Sequence, residues 1–151
     1  MKESASRIMR EADILQRELT SMSFKVLILE KDEKTKEIIS EIISRFDNVK
    51  VIEGLNGKEI DFETAVDMKP DILIVEAAIA QRWSRSVLDV KKNLEGLNIL
   101  LVVHEEPANH RYLAYRIGAS KVIRQDRIVF EVKSILKTRE MELRCKKRKN
   151  G

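Results

Sequence analysis

Carboxylates gather where the apolar runs of this sequence stop. Ile72-Leu73-Ile74-Val75 leads straight into Glu76, and "FKVLIL" (24–29) leads into Glu30-Lys31-Asp32-Glu33. "NILLVV" (98–103) is followed by His104-Glu105-Glu106, and "KVIR" (121–124) by Gln125-Asp126. Brought to one edge of a sheet, these ends make a carboxylate-rich mouth, and Glu30, Asp32 and Glu76 are the oxygen ligands it offers to Mg2+. Each acid also has a local reading. Asp32 stands where a helix N-cap is wanted, and Glu33 where the helix dipole favours an acid.

Other constellations carry less chemistry. His104 and His110 are the two histidines, without the i, i+4 spacing of helical metal ligands. "GLNGKE" (54–59) has a Gly-Lys pair but neither the spacing nor the Ser/Thr of a phosphate-binding loop. No Gly-x-Ser-x-Gly or Cys-x-x-Cys occurs, so nothing is placed for nucleophilic catalysis and no enzyme is expected. Trp83, between Arg82 and Arg85, is either a contact residue or a side chain packed on the corner.

The elements that must position the acids follow from periodicity. Strands are expected at 24–29, 49–54, 71–76, 98–103 and 121–124. Between them Ile38, Ile39, Ile42, Ile43 and Phe46 form one helical face, and Phe62, Ala65 and Val66 mark a second helix. Val87, Val90 and Leu94 mark a third. Pro107 opens a fourth carrying Leu113, Ala114 and Ile117, with Gly118 as its C-terminal cap. Asp126 is placed to cap a last helix built on Val129, Val132, Leu136 and Leu143. Strands alternating with helices imply right-handed βαβ units, and strands with little polar alternation imply a sheet covered on both faces. The expected fold is α/β, a three-layer doubly wound sheet of five parallel strands. Sites in such sheets lie at the carboxyl ends of the strands, where Glu76 is.

Before the first strand, Ile8, Ala12, Leu15, Leu19 and Met22 are spaced as a helical stripe. This extra N-terminal helix, within residues 1–23, either packs on its own domain or makes a dimer contact. The rest divides into a body over 24–138 and a helix extension with basic tail over 139–151.

A chain of 151 residues fits one domain and buries on the order of 70% of its unfolded surface without a metal or disulfide. One cysteine, no apolar leader and no long apolar segment point to a soluble cytoplasmic protein without membrane contact. Five of the 29 basic residues lie between Arg144 and Lys149, where no acid occurs, leaving 24 against 25 acids in the body. The tail can therefore touch nucleic acid non-specifically, and the body is no general polyanion binder.

"VLILEKDEKTKEII", "NGKEIDFETAVDMKPDILIVE", "GLNILLVVHEE" and "GASKVI" occur in an order and spacing that resembles the receiver domain of bacterial response regulators (CheY-like), over residues 24–138. The resemblance implies the flavodoxin-like strand order 2-1-3-4-5. It also implies a phosphoaccepting Asp at the end of strand three, an acid pair for Mg2+, a Thr or Ser after strand four, an aromatic in strand five and a Lys after it. Here those positions hold Glu76, the pair Glu30 and Lys31 with Asp32 adjacent, Val103, Val122 and Gln125. Valine has no hydroxyl for a phosphoryl oxygen, glutamine has no charge, and Lys31 opposes Mg2+. The added methylene of Glu76 moves the acceptor by ~1 Å, enough to cost about a hundredfold in rate.

The expectation is an atypical receiver that acts in bacterial signal transduction as a phosphorylation-independent protein–protein interaction module, without a cofactor. By analogy its contact surface includes Tyr112, Tyr115, Arg116 and Arg127, and its partner is another signalling protein or a second copy of itself. Alternatives are a receiver still phosphorylated at Glu76 and a flavodoxin-like domain binding a nucleotide or small anion. Glu76 itself could pair with Lys31, imitate a phosphorylated aspartate, or stand idle in solvent.

Overall fold

The structure is a computed structural model that describes residues 24–53 and 61–149. The N-terminal stripe and the Gly-Lys pair of "GLNGKE" lie outside the described residues. Strands β1 (Phe24–Leu29), β2 (Val49–Glu53), β3 (Ile72–Glu76), β4 (Asn98–Val103) and β5 (Lys121–Arg124) form one parallel sheet in the order β2-β1-β3-β4-β5. The register places Leu27 beside Leu73, Leu73 beside Ile99, and Leu101 beside Val122.

Both faces are covered, which is why the central strands are aliphatic throughout. Alternate residues serve alternate layers. Val26, Ile28, Ile72, Ile74, Leu100 and Val102 meet helices α1 (Glu33–Ser44) and α6 (Ile128–Lys149). Leu27, Leu29, Leu73, Val75, Ile99 and Leu101 meet α2 (Phe62–Asp67), α3 (Ala77–Arg82), α4 (Ser84–Asn93) and α5 (Arg111–Ile117).

Three elements differ from the sequence expectation. The helix after β3 starts at once, at Ala77, and breaks at Trp83, whose backbone leaves the helical region at φ −116° and ψ 31°. Pro107 opens a single 3-10 turn, Pro107–His110, ahead of α5. Asp126 lies inside another 3-10 turn, Gln125–Arg127, rather than directly ahead of the last helix. Gly118 holds the left-handed C-cap of α5 at φ +72°, as its position implies.

The apolar faces of α1 and α6 are also narrower than expected. Ile39 and Ile43 are buried, but Ile38 is 51% exposed and Ile42 only partly covered. In α6 the packed side is Ile128, Val132, Ile135 and Leu136, leaving Val129 37% exposed.

The foot of the sheet is held by a long-range clamp. Arg139 on α6 donates to Asp71 Oδ1 at 2.7 Å and also to the carbonyl of Gly96, and its guanidinium lies 5.8 Å from the centroid of the Phe24 ring. Asp71 Oδ2 accepts the Lys25 amide at 2.9 Å. Thus β1, β3, the turn before β4 and α6 meet at one ion pair. Helix α6 continues without interruption past residue 138 to Lys149.

Candidate functional site

The ends of β1, β3, β4 and β5 do converge on the carboxyl edge, because the strands are parallel and in register. Glu76 is the last residue of β3 and the N-cap of α3, with extended backbone at φ −75° and ψ 146°. Its side chain turns back onto the helix that it starts. Oε1 accepts the Ala78 amide at 2.9 Å and Oε2 the Ile79 amide at 3.3 Å. A helix has four unpaired amides at its start, and Glu76 satisfies two of them.

Lys31 is exposed, and no ion pair with Glu76 occurs among the described residues. Its backbone amide and that of Asp32 donate instead to Glu30 Oε1, at 3.1 and 3.2 Å. Asp32 occupies the N-cap position of α1, but its carboxylate makes no bond to the helix amides. Oδ2 accepts the buried Thr35 hydroxyl at 2.7 Å. The carboxylates of Glu30, Asp32 and Glu76 each accept hydrogen bonds from their own chain.

Glu30 is half-buried, and burial pushes its carboxyl above the usual carboxylate value. The Asp32 amide pulls the other way, the neighbouring Glu76 charge adds to the rise, and His104 and the Lys31 amide offset part of it. The outer acids have local partners. Glu106 pairs with Arg124 at 2.9 Å, and Glu105 lies 3.8 Å from His110 Nε2. Among the described residues, no group of three or more His, Cys, Asp or Glu side chains is placed to hold a metal ion.

The remaining positions are apolar or neutral. Val103 is fully buried in the layer beneath α3 to α5, and Val122 packs on the same layer. Gln125 opens the 3-10 turn after β5. Trp83 sits partly buried, its ring 5.9 Å from Phe62 and under the Arg82 guanidinium at 5.3 Å, so it packs on the corner.

Tyr112 and Tyr115 project from α5, 74% and 85% exposed, and Arg116 lies on the same helical face with its guanidinium 6.0 Å from the Tyr112 ring centroid. Arg116 also donates to Ser84 on α4 at 3.1 Å. Arg127 is exposed but stands apart, in the turn after β5. The cap made by Glu76 and the clamp at Arg139 were not anticipated from sequence. The first has a signal in the small residues that follow Glu76 directly.

No family model and no curated protein matches the sequence. Solved structures do match the fold. A pilus assembly-related protein from Burkholderia pseudomallei is 18% identical with a TM-score of 0.62, over 77% of this chain and 88% of that one. A response regulator from Thermotoga maritima is 15% identical with a TM-score of 0.62, over 76% and 98% of the two chains. The signal receiver domain of a DNA binding response regulator from Colwellia psychrerythraea is 13% identical with a TM-score of 0.60, again over 76% and 98%. The fold is that of a response-regulator receiver domain. It agrees with the sequence resemblance in strand order. No described helix is long and apolar enough to cross a membrane.

Proposed function

We propose that this chain is a degenerate receiver that works in the bacterial cytoplasm as a phosphorylation-independent protein–protein interaction module in signal transduction. The observation that carries the reading is the use of both Glu76 carboxylate oxygens as a helix cap. A phosphoacceptor needs a carboxylate oxygen free to attack phosphorus, with metal and cation positioned around it. Here the acceptor position is turned onto amides, and Lys31 and Gln125 replace the acid and the cation of the usual constellation. Val103, sealed in the core, has no hydroxyl to follow a phosphoryl group. The domain then acts by contact, without catalysis and without Mg2+.

The contact surface of this reading is the exposed face of Tyr112, Tyr115 and Arg116, with Arg127 at its margin. Exposed aromatics beside arginine are the residue types that anchor protein interfaces. The partner is another signalling protein or a second copy of the chain. Nucleic acid is met only non-specifically, through the basic tail. One protein of similar fold is described as pilus assembly-related, which accords with a receiver fold that serves an assembly.

Incubation with acetyl phosphate and Mg2+, read by intact mass, tests the reading. An unmodified mass is the expected result. A phosphoryl adduct that disappears in Glu76→Gln overturns it.

A further inference from the structure

Four arginines stand exposed around the break between α3 and α4 and along α5: Arg82, Arg85, Arg111 and Arg116. Three other arginines hold carboxylates, Arg45 with Glu41, Arg124 with Glu106 and Arg139 with Asp71. Among the described residues, none of the exposed four pairs with one. Arg116 donates to Ser84, and Ser84 stands between Arg82 and Arg85 in the chain. That bond ties α5 to the break, so the arginines and the α5 tyrosines share one surface.

These helices are poor in acids. α3 and α5 contain none, and α4 contains Asp89 against Arg85, Lys91 and Lys92. Lys91 is engaged with the Leu97 carbonyl. The Arg82 and Arg116 guanidiniums lie over the Trp83 and Tyr112 rings. Stacking uses the flat face of a guanidinium and leaves its in-plane N–H donors, the fork that fits a carboxylate.

The charge pattern discriminates between occupants. A two-fold dimer through this surface would repeat the same residues on both sides of the contact. Arginine would then face arginine, with Asp89 as the sole acid of the three helices, and like charges in contact are unfavourable. A nucleic-acid backbone fits no better. Its regular phosphates would also pass Asp89 and the exposed Glu105 and Glu106 just ahead of the turn that leads into α5. Separate carboxylates on a protein segment can meet the arginines one by one, while Tyr112 and Tyr115 pack on its apolar groups.

We propose that the surface of Arg82, Arg85, Arg111 and Arg116, with Tyr112 and Tyr115, docks an acidic segment of a different protein. This rests on the reading of the α5 face as the contact surface, and it chooses between the two partners of that reading.

A hexaglutamate peptide is the probe, titrated into the full chain at low salt. Trp83, the one tryptophan, reports from the break by fluorescence, and the amides of Ser84, Arg85 and Tyr112 report by NMR. Saturable changes are expected there, weakening as salt is raised. They should survive Lys146→Gln with Lys147→Gln and Lys149→Gln, which removes tail charge. Binding should weaken about tenfold in Arg85→Glu with Arg111→Glu. Neither arginine makes a hydrogen bond or ion pair among the described residues, so this variant should melt with the wild type. Arg85→Gln with Arg111→Gln repeats the loss in a milder form. Changes confined to residues 144–149, or equal binding by the arginine variants, would overturn the proposal. So would a short single-stranded DNA that binds at the same resonances as tightly as the peptide. Sedimentation separates these failures from that of the underlying reading. A dimer that Tyr115→Ala dissolves would keep the α5 face as a contact surface and overturn the acidic partner alone, whereas a phosphoryl adduct at Glu76 overturns the reading itself.

Discussion

At position 76 one methylene separates glutamate from the aspartate that receivers phosphorylate, and the Glu76 carboxylate bends back to two amides of the helix that it starts. Removing the cap in Glu76→Ala should cost about 0.5–2 kcal/mol, while Glu76→Gln keeps one acceptor oxygen and should lose less. Thermal or urea denaturation measures both, and an unchanged Ala variant would mean that the cap contributes nothing. Glu30 makes a pH prediction. Its folded-state pKa is raised by burial, so the native chain holds that proton more tightly than the unfolded chain does. The stability linked to this group is therefore complete below the unfolded carboxylate range and is lost as pH rises through the folded pKa. Glu30→Gln, which never ionises but keeps an oxygen for the Lys31 and Asp32 amides, should melt above the wild type near neutral pH. The gap should close as pH falls through the carboxylate range, and a gap independent of pH would contradict the assignment. Sequence placed these acids at strand ends correctly. It could not say which amides their oxygens would choose, because that depends on where α3 begins.

Elements with a strong local signal were legible. Strands β1, β4 and β5 fall on the apolar runs that mark them, and the left-handed Gly118 ends α5 where a glycine following Leu113, Ala114 and Ile117 implies. Gly118→Ala should destabilise the fold by about 1 kcal/mol or more, since a Cβ would be strained at that φ and would meet Lys91 Cγ at 3.2 Å. The break at Trp83 was not legible, because residues 77–93 contain no proline or glycine to announce it. Nor was the clamp, whose partners Asp71 and Arg139 are 68 residues apart. Both side chains are mostly shielded, so Arg139→Ala should cost about 1–3 kcal/mol by stranding Asp71. Arg139→Lys should recover little, because an ammonium cannot fork between Asp71 and Gly96. Denaturant midpoints of the two variants decide the point. A lysine variant as stable as the wild type would reduce the clamp to simple charge.

The molecule as a whole keeps the receiver architecture while its corner is occupied by its own contacts. The topology was readable because alternating apolar runs and helical stripes admit few right-handed arrangements. The corner was readable in residue type and not in geometry: Val103, Val122 and Gln125 are visible in the sequence, but the bonds made by Glu76 are not. The tyrosine face of α5 is exposed. Tyr112→Ala and Tyr115→Ala should leave the melting temperature unchanged, since both side chains are largely in solvent, and a clear drop would return them to a structural role. The central claim, that the corner no longer senses phosphoryl chemistry, is tested most directly by titration with Mg2+ and beryllofluoride. Trp83 fluorescence and the amide resonances of Ala78 and Ile79 report on the corner from two sides. No saturable change should appear, because the Glu76 oxygens already hold those amides. A saturable shift that requires both ligands together would contradict the account.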